Sequence, residues 1–148
     1  MELLFEQIKS IVDPKLPLVS NLANVSALLY KIGDVNWSGF YMVLEDGLYL
    51  GPFQGDVACT YIPFSKGVCG KAYRDKEIIL VDDVYKFPGH IACSSLSKSE
   101  IVAPIIVENE VVAVIDIDAP IYSRFKEEEK ELLRKVAELL APLFEKSN

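Results

Sequence analysis

Ile101-Val102-Ala103-Pro104-Ile105-Ile106-Val107, then Glu108-Asn109-Glu110, then Val111-Val112-Ala113-Val114-Ile115-Asp116-Ile117 read as two apolar strands joined by a short polar turn. β-branched residues dominate both runs, and a connection this short brings the second strand back antiparallel to the first. Asp116 and Asp118 are two apart, so an extended chain points both to one face, opposite Ile115 and Ile117. Glu100 directly precedes the first strand. Carboxylates placed among valines and isoleucines cost free energy unless they are paired, hydrogen-bonded or protonated. Two readings stand: a strand end that reaches solvent before Ala119-Pro120, or a pocket that binds a cation and supplies a proton.

The pattern extends on both sides of this hairpin. Downstream, Leu132, Val136, Leu139 and Leu143 form an apolar stripe with Leu133 and Leu140 beside it, preceded by Glu127, Glu128 and Glu129, which suit a helix N-terminus. A long amphipathic helix over 126–146 is expected, with Ser123 as its cap. Upstream, Ile78–Val81 is a short strand ended by Asp82-Asp83. Trp37–Leu44 and Leu48-Tyr49-Leu50 form a second hairpin across Glu45-Asp46-Gly47. Gly51–Gly55 reads as a loop, and Val57–Ile62 as a further strand carrying Cys59. Ser65–Tyr73 reads as a glycine-marked turn feeding a short helix, with Cys69 in its first turn. Leu18, Leu22, Val25, Leu29 and Ile32 share one helical face ended by Gly33, and residues 1–16 hold a shorter helical segment that stops before Asp13-Pro14. Helices around hairpin-linked strands imply one α+β domain over 1–148, an antiparallel β-sheet flanked by helices.

Composition narrows the function classes. Of 148 residues, 51% are hydrophobic and 25% charged, as in an ordinary soluble domain. The net charge of −7 and scattered Lys and Arg argue against a nucleic-acid or anionic-membrane surface. No signal peptide or membrane-spanning run is seen, so a cytoplasmic location is expected. Three cysteines, an odd number, argue against a structural disulfide framework. The thiols are then packing residues, metal ligands or redox groups.

Pro88-Gly89-His90-Ile91-Ala92-Cys93, followed by Ser94–Glu100, has neither helical nor strand periodicity and carries the single histidine. Chemistry-capable side chains on an irregular segment between rigid elements suggest a site. Cys69, near a helix start with Lys66 and Lys71 close in sequence, is where dipole and charge would lower a thiol pKa. Cys93 has the mobility a disulfide-exchanging thiol needs, and Cys59 is a resolving partner if the fold brings it near. Against this stand three structural thiols, or a weakly spaced Cys59, Cys69, His90, Cys93 zinc set. Trp37 and Tyr41 lie on one strand face, as core or as the wall of a ligand pocket.

Asn36-Trp37-Ser38-Gly39-Phe40-Tyr41, Leu50–Gly55, Gly67-Val68-Cys69-Gly70, Gly89-His90-Ile91-Ala92-Cys93, Ser99-Glu100-Ile101 and Val114–Asp118 resemble the signature blocks of the free methionine-(R)-sulfoxide reductases, which are GAF-domain enzymes. The resemblance runs from about Asn21 to the last helix and implies a GAF-like sheet. It implies reduction of free L-methionine (R)-sulfoxide, with thioredoxin as reductant; homodimers are usual for such domains, the terminal apolar helix permits one, and nothing in the sequence supports a metal, nucleotide or flavin cofactor. Carried over, it makes Cys93 the nucleophile, Cys59 the resolving thiol and Cys69 an auxiliary one. Glu100, Asp116 and Asp118 would hold the substrate ammonium and oxygen, one of them with a raised pKa as proton donor, while Trp37 and Tyr41 enclose the methyl group. The substrate carboxylate is expected on backbone N–H groups before Cys93. A GAF module that binds a small molecule, or senses redox state, without turnover is the alternative.

Overall fold

The computed structural model describes residues 1–91 and 93–146. The hairpin at 101–117 is the centre of the sheet. Strands β1 (Trp37–Val43), β2 (Leu48–Gly55), β3 (Tyr61–Ile62), β4 (Ile79–Val81), β5 (Ser99–Val107) and β6 (Glu110–Ala119) pair antiparallel in the order β3-β2-β1-β6-β5-β4. Helices α1 (Glu2–Ile11), α2 (Leu18–Leu29), α3 (Gly67–Asp75) and α4 (Glu127–Lys146) complete the α+β architecture expected from the sequence. Among the described residues no helix is long and apolar enough to cross a membrane.

Alternation along the strands gives the sheet two different faces. Phe40, Ile101, Ala103, Ile105, Ala113, Ile115 and Ile117 point to one, where α1, α2 and α4 cover them with Ile8, Leu22, Val25, Leu133, Val136 and Leu140. Fully burying a side chain of the Leu, Ile or Phe class stabilises by about 1.5–3 kcal/mol, so this layer fixes the register. A slip of one residue would turn Asp116 and Asp118 into it. The other face carries Trp37, Tyr41, Val102 and Val114, and of the four α-helices only α3, through Val68, Cys69 and Ala72, packs over it, with Val84, Phe87 and Ile91 from the segment that follows beside it. That short helix leaves room for a cavity.

Four expectations are corrected. Gly51–Gly55 is not a loop, because β2 continues to Gly55 with Gly39 opposite Phe53 and Tyr41 opposite Leu50. The shift in register between those pairs leaves Gly51 and Pro52 facing Phe40 in a bulge, where a proline without an N–H is tolerated. Val57–Thr60 is irregular rather than extended, so Cys59 lies on a loop before the short β3. α2 ends at Leu29, and its last predicted turn tightens to a 3-10 turn at Tyr30–Ile32 before Gly33 at φ 98°. Ser123 does not cap α4: its φ of 52° places it in a turn, and its N–H donates to Asp82 O. The cap comes from inside the helix, where Glu129 Oε1 accepts the Lys126 N–H at 2.7 Å and Oε2 accepts from Arg124 Nη1 at 3.1 Å. This is the reciprocal half of a capping box, a carboxylate at the third helical position reaching back.

Candidate active site

Register across the uncovered face assembles the acids. Trp37 lies opposite Asp118, which lies opposite Glu100 on β5, which lies opposite Val81, so one row crosses four strands. In the next row Gly39 faces Asp116 and Asp116 faces Val102. Glu100 and Asp116 are buried, at 8% and 5% exposure, and Asp118 is half-buried. The first turn of α3 lowers Cys69 onto this group. Its sulfur and carboxylate oxygens of Glu100 and Asp116 all fall within 4.8 Å of one another.

Burial raises the pKa of all three acids. Glu100 is pushed up first by burial and then by the charges of Asp116 and Asp118, and Asp118 by burial and by Asp116. Asp116 is also raised by burial, but hydrogen bonds from Glu100 and Cys69 act against the rise. A hydrogen bond from Glu100 acts against the rise at Asp118 as well, so the three acids titrate as one group in which Glu100 and Cys69 hold their protons as donors.

The expectation for Cys69 is overturned by the same geometry. Its thiol is pushed well above the usual range, first by burial and then by Asp116, Glu100 and Asp118. Of the two lysines meant to lower it, Lys66 is exposed and Lys71 pairs with Asp75 at 3.0 Å. Local helix polarity loses to desolvation and three neighbouring carboxyls.

Cys59 and Cys93 form a disulfide with Cα atoms 5.4 Å apart, and both are half-buried. Bonded to each other, they do not assemble the four-ligand zinc set. The Cys59 loop is held from below: Tyr41 Oη donates to Cys59 O at 2.8 Å, and Trp37 Nε1 donates to Asp56 O at 3.1 Å. The Cys93 loop is tied to α3 where Gly67 N–H donates to Gly89 O at 3.0 Å. Gly67 has φ 72°, a conformation that favours glycine.

Between the loops, the acids and the aromatic wall lies a cavity of about 370 Å³, within the range of small-molecule sites. Trp37, Tyr41, Cys69, Glu100, Asp116, Asp118 and Cys93 line it, and Cys59 is adjacent through Ala58 and the disulfide. His90 also lines it, with its pKa lowered by burial. Trp37 stacks on Tyr41 with centroids 5.9 Å apart and on Phe53 at 5.2 Å. Phe53 was not anticipated; the missed continuation of β2 would have placed it beside Trp37. Of the backbone donors before Cys93, His90 N–H is bonded to Phe87 O and Cys93 N–H to Ile91 O, while Ala92 lies outside the described residues.

A two-faced antiparallel sheet with a single short helix over a ligand-sized cavity defines a GAF domain, and the GAF domain family matches residues 17–142. Within it, the chain belongs to the free methionine-R-sulfoxide reductase family. It is 47% identical to the free methionine-R-sulfoxide reductase of Escherichia coli over 80% of this chain and 72% of the relative. It is 45% identical to that of Saccharomyces cerevisiae over 95% and 83%. The crystal structure of the Neisseria meningitidis free methionine-R-sulfoxide reductase in complex with its substrate superposes with a TM-score of 0.93, at 42% identity, covering 97% of this chain and 87% of that one.

Proposed function

We propose that this protein reduces the R epimer of free L-methionine sulfoxide to methionine, with Cys93 as nucleophile and Cys59 as resolving thiol. The observation that carries the reading is a Cys59–Cys93 disulfide at the mouth of a cavity floored by Glu100, Asp116 and Asp118 and walled by Trp37 and Tyr41. A carboxylate cluster with no lysine or arginine among the described residues that line the cavity suits a substrate ammonium. An unblocked amino group, and hence a free amino acid, is the consequence. The aromatic wall suits the methyl group on sulfur.

In the first step the Cys93 thiolate attacks the sulfoxide sulfur, the S–O bond breaks, and the oxygen leaves to Cys93 with a proton from the acidic group. Methionine and a Cys93 sulfenic acid result. Glu100 is the donor we favour, because burial and two neighbouring carboxyls keep its proton on. The Cys59 thiol then displaces water from the sulfenic acid to form the disulfide, and an external dithiol, thioredoxin, returns both sulfurs to thiols. Cys69 acts beside them as a hydrogen-bond donor to Asp116. We further propose a cytoplasmic homodimer, consistent with an acidic chain whose resolving disulfide must be reduced in each cycle.

The test is an epimer-resolved assay of free methionine sulfoxide with thioredoxin as the only reductant. The R epimer should turn over, the S epimer and N-acetylmethionine sulfoxide should not, and Cys93→Ser should abolish the reaction. Cys59→Ser should release one equivalent of methionine per chain and stall. Loss of that first equivalent would make Cys59 the attacking thiol instead.

A further inference from the structure

With Cys59 and Cys93 joined, Cys69 is the free cysteine of the chain, and it is buried. Its sulfur and the oxygens of Glu100 and Asp116 form a triangle within 4.8 Å, each corner on a different rigid element, α3, β5 and β6. A tetrahedral ion bound at about 2.0–2.3 Å holds its ligands about 3.3–3.8 Å apart, so adjustments of rotamer size close the triangle. An independent feature points the same way. Beyond the hydrogen bonds that the Asp116 carboxylate takes from Glu100 and Cys69, its Oδ1 is buried with no partner, which costs free energy unless something binds it. Among the described residues no lysine or arginine lines the cavity to do so.

We propose that Cys69, Glu100 and Asp116 form a site for one divalent cation of the zinc class. A thiolate with two carboxylates suits a borderline ion, whereas magnesium and calcium require oxygen donors throughout. The ion takes three protein ligands and leaves its fourth position open to the cavity. Binding breaks the S–H bond of Cys69 and the O–H bond of Glu100, forms metal–sulfur and metal–oxygen bonds in their place and releases both protons to solvent, without change of oxidation state. The consequence for turnover rests on the function proposed above: ion and substrate ammonium claim the same carboxylates, so the ion excludes substrate. The binding itself does not depend on that reading.

Cobalt(II) added to the disulfide-closed protein tests it, since Cys69 is then the sole source of a thiolate. A thiolate-to-cobalt charge-transfer band should appear, saturate at one ion per chain and be displaced by zinc. It should be absent in Cys69→Ser, and cobalt affinity should fall at least tenfold in Glu100→Gln and Asp116→Asn. In the native protein the affinity should rise with pH, by about tenfold per pH unit for each proton displaced, a measurement that needs no variant to fold. No band at saturating cobalt, affinity independent of pH, or unchanged affinity in folded Glu100→Gln and Asp116→Asn overturns the site. A band that forms normally but does not yield to free methionine sulfoxide keeps the ion site and overturns the exclusion of substrate.

Discussion

Oxidation of the reduced protein by its substrate should be visible as a gain in stability. The Cys59–Cys93 bond closes a loop with a sequence separation of 34. In the chain-entropy treatment, a loop of that size removes about 12.6 cal/mol/K from the unfolded ensemble, or about 3.8 kcal/mol at 25 °C. For a chain near 150 residues each kcal/mol moves Tm by about 2–4 °C, which sets the rise at about 8–15 °C. The assay is calorimetry on fully reduced protein, free of reductant, before and after one equivalent of free L-methionine (R)-sulfoxide. The rise should follow the R epimer and not the S epimer, and dithiothreitol should reverse it. Cys59→Ser should form methionine yet gain none of this stability, because a sulfenic acid on Cys93 closes no loop. A rise of the same size in Cys59→Ser would refute the reasoning, since ligand binding rather than the covalent link would then account for it.

Burial of the acids makes stability depend on pH in a defined direction. Glu100, Asp116 and Asp118 have folded pKa values above their unfolded ones, near 4. The folded state thus binds more protons, and its extra stability is full below about pH 4 and lost as pH rises through the raised values. Tm of the disulfide-closed protein against pH should show this loss, and Glu100→Gln should flatten it. Glu129→Ala leaves the partly buried Arg124 without its 3.1 Å partner and removes the α4 cap, so urea denaturation should show a loss of about 3 kcal/mol or more. A Cβ at Gly39 would stand 2.4 Å from Phe53 Cβ and 2.8 Å from Pro52 O. Gly39→Ala should therefore cost about 1–3 kcal/mol in denaturant and raise KM by displacing Phe53 from Trp37.

What could be read from the chain alone was whatever depends on periodicity. The alternation Ile115-Asp116-Ile117-Asp118 put both acids on the face away from the core, and the same rule paired Trp37 with Tyr41. Both outcomes are seen in the register of β1 and β6. The stretch from Gly51 to Gly55 escaped because its glycines and proline look like a turn, whereas a bulge opposite Phe40 absorbs them into β2. The loop status of Cys59 escaped for the opposite reason: Val57–Ile62 has strand-forming residues, but only Tyr61 and Ile62 find a partner strand. Cys69 was misjudged because helix polarity and lysine spacing are local properties, while desolvation and the carboxyls of β5 and β6 enter only once the sheet has formed.

That last difference also bears on how three thiols come to divide the work. A sulfur nucleophile needs an accessible thiolate, and the acids that favour a substrate ammonium oppose thiolate formation beside them. A single cysteine cannot satisfy both demands at the floor of this cavity. Cys69 sits there, its proton retained by burial and by the charges around it. Cys59 and Cys93 sit on irregular loops at the mouth, half-buried and close enough to bond to each other. On this reading the carboxyls at the floor meet both the ammonium and the sulfoxide oxygen of the substrate, while Cys93 reaches its sulfur from the rim. The arrangement also leaves the disulfide half-buried at the mouth while Glu100 and Asp116 stay out of water.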